Sequence, residues 1–228
     1  ISRLDESRRL NQRLNDEQGI AWNLTLLGNT LRKQGDLERA AKSLEEGIAI
    51  LKKIDNKWGT ELGLYWLGIA VQELGHHQRA EALLEESLAM SRERESQWGI
   101  ASALCHLGHV ALEKSDHARA KSCYHESLAL HEELGNKIGI AEALVGCGRL
   151  ALAEDQHARA ARLFAAAEFL RTKVGAPMSV FDRERFDHEI AAMRAALKDE
   201  KFNAEYAAGK TMTEEQAIAY AMEDTDKA

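Results

Sequence analysis

Nine histidines and three cysteines are the residues of this sequence best equipped for chemistry. His106 and His109 stand one helical turn apart beside Cys105, and His125 lies two residues from Cys123, which invites a metal reading. A zinc centre needs three or four ligands that converge in a closed geometry, and no such set is apparent. His77, His117 and His157 instead share one position of an internal repeat, where the first repeat has Leu37, so they read as packing residues at a turn. No serine, cysteine or carboxylate stands in a recognisable nucleophile motif. Cys105, Cys123 and Cys147 are odd in number and lack metal spacing, so they read as reduced thiols of a reducing compartment. No catalytic residue, cofactor or metal is expected.

The elements that carry these residues recur at a fixed interval. Glycines stand at Gly19, Gly59, Gly99 and Gly139, a second set at Gly28, Gly68, Gly108 and Gly148, and alanines at Ala40, Ala80, Ala120 and Ala160, each set stepping by 40 residues. A period of that size marks a solenoid of stacked supersecondary units, each unable to bury its apolar face alone. Apolar residues at helical spacing surround the small ones: Leu104, Leu107 and Ala111, then Ala120, Tyr124 and Leu128 in the third repeat. A large side chain at Gly108 or Ala120 would push the two helices of the pair apart. Asp16, Asn56, Ser96 and Asn136 recur just before each first helix and can cap its free amides. The helices are predicted over 17–34, 37–53, 57–74, 77–94, 97–114, 117–134, 137–154 and 157–173. Gly35 and Gly75 can end a helix in left-handed geometry without penalty, whereas Ser115 and Asp155 cannot, so the last two intra-pair turns should be strained or differently shaped.

The pattern leucine-x-x-leucine-glycine, then alanine, then leucine or an aromatic four residues on, resembles the tetratricopeptide repeat. That repeat usually spans about 34 residues, so this is similar to a longer variety. The resemblance implies an all-α chain forming a right-handed superhelix, an α–α solenoid, with a C-terminal helical cap. Residues 1–16 fall on the second helix of a preceding repeat whose first helix is missing, which suggests a piece of a longer protein. Residues 17–174 form four repeats, and residues 175–228 form the cap. In the cap, Pro177 ends the last repeat helix, and Ser179 can cap a helix whose face carries Phe181, Phe186, Ile190, Met193 and Leu197. A short helix follows near 200–208, and Thr213 with Gln216 forms a capping box for a last helix to about Glu223.

The tail Tyr206-x-x-Gly209-Lys210-x-Met212-Thr213-x-Glu215-x-Ala217-Ile218, after Gly175-Ala176-Pro177, resembles the closing segment of large bacterial signalling ATPases and the transcriptional regulators built on them. There such repeats act as sensor or interaction arms. No phosphate-binding glycine loop with lysine and no DNA-binding helix-turn-helix is visible in this sequence. The net charge of −7, much of it in the tail, argues against nucleic acid as a partner. No apolar run reaches the roughly 18 residues a membrane span needs, and no signal peptide opens the sequence, so a cytoplasmic protein is expected.

The resemblance also places the first helix of each pair on a concave face. It thereby assigns partner contacts to Trp22, Asn29, Arg32 and Lys33 in the first repeat, Leu62, Tyr65, Ile69 and Gln72 in the second, His109 in the third, and Glu142 and Arg149 in the fourth. Aromatics and arginines are what binding hot spots favour. Trp58 and Trp98, one residue before the periodic glycine, are expected to pack between repeats. The function this supports is non-catalytic binding of a protein or peptide segment, or of a small inducer, with no nucleic acid and no membrane. The alternative is a structural arm that self-associates, or docks on an ATPase core, through its end helices.

Overall fold

The computed structural model describes residues 16–178 and 180–223, and the reading of residues 3–14 as a second helix and of Ser179 as a cap lies outside them. Eleven α-helices occur among the described residues, without a strand. Eight belong to the repeats: α1 (Glu17–Lys33), α2 (Leu37–Lys53), α3 (Lys57–Glu73), α4 (His77–Glu93), α5 (Gln97–Glu113), α6 (His117–Glu133), α7 (Lys137–Ala153) and α8 (His157–Lys173). Three follow: α9 (Val180–Leu197), α10 (Asp199–Lys210) and α11 (Glu214–Met222). The fold is all-α, built of solenoid-type helix pairs.

Each boundary has a local cause. Asp16, Asn56 and Asn136 accept, through Oδ1, the backbone N–H of Gly19, Gly59 and Gly139 at 2.9, 2.8 and 3.2 Å, and Ser96 Oγ accepts that of Gly99 at 3.2 Å. At the far end a left-handed residue reverses the chain every 20 residues: Gly35, Asp55, Gly75, Glu95, Ser115, Gly135, Asp155 and Gly175, with φ between 53° and 83°. The amides around each close a Schellman pair, as when Asp36 N–H donates to Leu31 O at 3.0 Å and Gly35 N–H to Arg32 O at 2.9 Å. Ser115 and Asp155 therefore keep the shape of the glycine turns, at φ 59° and 57°, and carry its steric cost.

The chain divides into two compact units, residues 1–106 and residues 107–228, with the division inside α5. In the first, α1 packs on α2, α2 on α3, α3 on α4, and α1 also touches α3. Its core holds Leu24, Leu31, Leu44, Leu51, Leu64, Leu67, Val71 and Leu84. A methyl group added at Gly68 would lie 2.7 Å from Leu84 Cγ, so this glycine sets how closely α3 and α4 approach.

In the second unit the larger rings of Tyr124 and Phe164 take the place of those leucines. A methyl at Gly108 would meet Tyr124 Cε1 at 2.5 Å, and one at Gly148 would meet Phe164 Cδ2 at 2.6 Å. Here α6 packs on α7 and α7 on α8, while α9, α10 and α11 all rest on α8. Phe186 and Met193 of α9 are buried, and Phe186 lies 5.0 Å from the ring of Phe164. Ile190 and Leu197 are half-buried on the same helix. Glu168 fastens α10 to α8: it accepts from the Tyr206 hydroxyl and from Arg183 at 2.8 Å each, with Lys210 Nζ at 3.5 Å. Burial alone would raise its carboxyl, but these three donors hold it below the usual range. The predicted capping box is present at α11, with Gln216 N–H donating to Thr213 Oγ1 at 3.2 Å and Thr213 N–H to Gln216 Oε1 at 2.9 Å.

Candidate partner-binding face

The first helices of the first unit carry an aromatic surface. Trp58 opens α3 and leans on Trp22 of α1, ring centroids 4.9 Å apart and planes tilted by 49°. Trp98 opens α5 and meets Tyr65 of α3 edge-on, at 6.0 Å and 72°, and His106 meets the same tyrosine at 5.5 Å and 70°. These contacts are the packing between repeats expected of Trp58 and Trp98. Yet the two indoles remain 53% and 44% exposed, because each sits on the opening turn of its helix with a ring neighbour on one side. Leu26 is exposed as well, and Trp22, Leu62, Tyr65 and Trp66 are half-buried. Leu26, Trp58, Trp66, Trp98 and His106 were not assigned partner contacts from sequence. The signal that could have found them is repeat register, since Trp58 and Trp98 share one repeat position and Leu26, Trp66 and His106 share another.

The residues assigned to the concave face divide by what they do. Trp22, Leu62 and Tyr65 contribute to the aromatic surface, Asn29 is half-buried, and Lys33 is exposed at the end of α1. Ile69 is only 4% exposed and Gln72 is buried, so both offer little to a partner. Arg32 is buried too and donates to Glu73 at 2.7 Å and to Asn29 at 3.4 Å.

In the second unit the assigned residues are engaged within the fold. His109 is buried, its Nδ1 2.8 Å from the Tyr124 hydroxyl. Glu142 accepts from Arg171 at 3.0 Å. Arg149 donates twice to Glu189 of α9, at 2.8 and 3.2 Å, which makes it a tether for the cap. The guanidinium assigned to a partner is thus held by a carboxylate of the same chain.

Cys147 is buried and its thiol is pushed up to about 12, and burial raises Cys123 as well, the reverse of what a reactive thiolate needs. Among the described residues no group of three or more histidine, cysteine, aspartate or glutamate side chains is placed to hold a metal ion. None of the described helices is long and apolar enough to cross a membrane. A surface depression of about 240 Å³, lined by Lys52, Asp55, Lys57, Thr60, Glu86, Met90 and Glu93, is a mixed-charge dent in which Lys52 and Glu86 pair at 2.8 Å.

Two family models, both described as tetratricopeptide repeat, match the chain, one at residues 99–169 and the other at residues 24–54 and 67–94. The chain is similar in structure to BtubC (BKLC) from P. vanneervenii, with a TM-score of 0.64 and 18% identity over 96% of this chain and 87% of that one. It is also similar to a Podosopora anserina protein described as a kinesin light chain with nearly identical TPR-like repeats, with a TM-score of 0.55 and 18% identity over 82% of this chain and 93% of that one. At such identity the likeness speaks to fold alone. A comparison with curated proteins finds no match. The repeated helix pairs of this chain are tetratricopeptide repeats, which are generally non-catalytic modules that bind protein partners.

Proposed function

We propose that the chain binds a peptide segment of a partner protein on the aromatic face of α1, α3 and the opening of α5. The observation that carries this reading is the row of Trp22, Trp58, Tyr65 and Trp98, ring against ring on successive first helices and in part open to solvent. Monomeric proteins seldom leave such large apolar rings grouped at the surface without a binding role, and aromatic anchors dominate binding energy where they can be desolvated. The test is selection of a displayed peptide library on the full chain. Enriched peptides should lose binding to a Trp22→Ala, Tyr65→Ala double variant whose circular dichroism is unchanged; enrichment that survives the double variant would move the site elsewhere.

The module serves, in this proposal, as the interaction arm of a larger bacterial signalling ATPase or transcriptional regulator. Support comes from the tail residues Tyr206, Gly209, Lys210 and Thr213, which resemble the closing segment of such proteins; the first three hold α10 against the last repeat and Thr213 caps α11. A reading frame that encodes this chain downstream of a phosphate-binding glycine loop would support the assignment. One that encodes the repeats with no such loop would sink it.

A further inference from the structure

Resting on the peptide-binding reading above, the geometry points to one class of ligand: we propose that the aromatic face takes an uncharged, proline-rich segment in extended polyproline conformation. Three features converge on that occupant. The first is shape. Trp22 with Trp58, and Tyr65 with Trp98, touch at 49° and 72°, so each pair presents an angled corner of two rings against which a compact ring can rest, instead of a smooth trough for an amphipathic helix. Stacking a pyrrolidine ring into an aromatic slot is how polyproline segments are recognised.

The second is spacing. One corner lies between α1 and α3 and the other between α3 and α5, hence one per repeat. Packed helix axes stand about 8–10 Å apart, and a polyproline helix advances about 9 Å in each turn of three residues at its 3.1 Å rise. Successive turns of such a segment therefore meet successive corners.

The third is hydrogen-bonding sign and charge. Proline has a carbonyl acceptor and no N–H donor, so a proline-rich segment needs a lining of donors. The indoles of Trp22, Trp58 and Trp98 are donor-only groups, and Trp58 and Trp98 are the more open of the three to solvent. Around them the first helices show little charge: between Gln18 and Lys33 on α1 the one ionic side chain is Arg32, paired with Glu73, and on α3 Glu61 is buried and paired with Arg94, which leaves Lys57 beside Trp58 as the exposed ion. In a chain with 29% charged residues, that face is matched to a segment without charges.

The experiment uses the full chain and intrinsic fluorescence, since all four tryptophans, at positions 22, 58, 66 and 98, stand on these three helices. Decaproline, a ten-residue glycine-serine peptide and a ten-residue helix-forming alanine-leucine peptide are titrated in parallel. Decaproline should give a saturable shift and the other two none. Trp58→Phe, which keeps a ring and loses the N–H, should weaken decaproline several-fold, and Trp58→Ala by tenfold or more, with helix content unchanged in both. Binding of the helical or glycine-serine peptide as tight as that of decaproline, still sensitive to Trp58→Ala, would overturn the proline class and leave the peptide-binding face standing. Decaproline binding insensitive to Trp58→Ala and Trp98→Ala would overturn both. Silence of decaproline overturns the ligand class, and the library selection then reads the face by itself.

Discussion

His131 is the residue at which sequence, packing and pH meet. It occupies the repeat position of Leu51, Ser91 and Arg171, and its ring is pressed against Gly139, where an added methyl would meet it at 2.5 Å. Asn136 spends its Oδ1 on the Gly139 amide, so its side-chain NH₂ faces His131 Nδ1 at 3.1 Å and donates to it, which requires that nitrogen to be unprotonated. Burial lowers the imidazole from about 6.5 to about 4. A pKa depressed by folding contributes stability that is complete above the unfolded value and is lost as pH falls between the two. The unfolding free energy read from denaturant titrations should therefore drop from pH 6.5 to pH 4, by up to about 3 kcal/mol for that difference in pKa. His131→Leu, the residue of the first repeat, should flatten the profile across that window; an unchanged slope would assign the acid sensitivity to other groups. At the same scale, Ser115→Gly should stabilise the chain by about 0.5–1 kcal/mol, the left-handed cost of a non-glycine residue less the extra chain entropy of glycine. Thermal melting reads this directly, and a loss of stability would mean that the Ser115 side chain contributes more than its backbone costs.

At the scale of the element, helix ends were legible and side-chain engagements were not. The boundaries follow from residues that recur in register, a capping oxygen before each first helix and a break every 20 residues, so periodicity alone placed all eight repeat helices to within a residue at each end. Arg149 shows the other case. Its position on a first helix was readable, but its partner Glu189 lies on α9, outside the repeats, where no period points. Both side chains of that pair are largely buried, at 15% and 17% exposure, so Arg149→Ala should cost about 2 kcal/mol, the scale of a charged hydrogen bond lost from the interior. The effect should appear as loosened α9, in hydrogen exchange of residues 180–197, with peptide binding on the aromatic face untouched. Gly209 makes a sharper case on α10. An added methyl would collide with the Arg162 carbonyl and stand 2.7 Å from Ala165 Cβ, so Gly209→Ala should cost about 1–3 kcal/mol through overpacking. Proteolysis of the α10–α11 segment should rise in that variant, and resistance equal to the parent would show that α8 can yield. Such a contact explains in physical terms why the tail motif has glycine at this place.

For the molecule as a whole, the cap is the element whose removal should be felt most. Deleting residues 178–228 removes the buried Phe186, Met193, Phe202 and Ile218 with the helices that rest on α8, and should bare apolar side chains of that helix such as Phe164. Each large apolar side chain removed from burial is worth about 1.5–3 kcal/mol, so the truncated chain should melt lower by circular dichroism and aggregate on heating. A truncation that stays monomeric and melts like the parent would mean that the tail serves a partner and not the fold.

The left-handed residue that recurs every 20 positions has a consequence for growth. Because every repeat helix is begun and ended by its own backbone turn, a segment cut at two such turns carries both of its boundaries with it, like a brick that includes its mortar. Residues 56–95, copied in tandem after Glu95, would supply Asn56 as the new cap and Glu95 as the new break, and would leave no helix elsewhere longer or shorter. The chain with that insertion should gain the ellipticity of two further 17-residue helices. A shorter copy, residues 56–85 at the same place, stops inside its second helix and carries only one of the two breaks, so it should gain one helix and a fragment. The same 40-residue segment thus tests whether the turns, more than the sequence between them, are the quantum by which a chain of this kind lengthens.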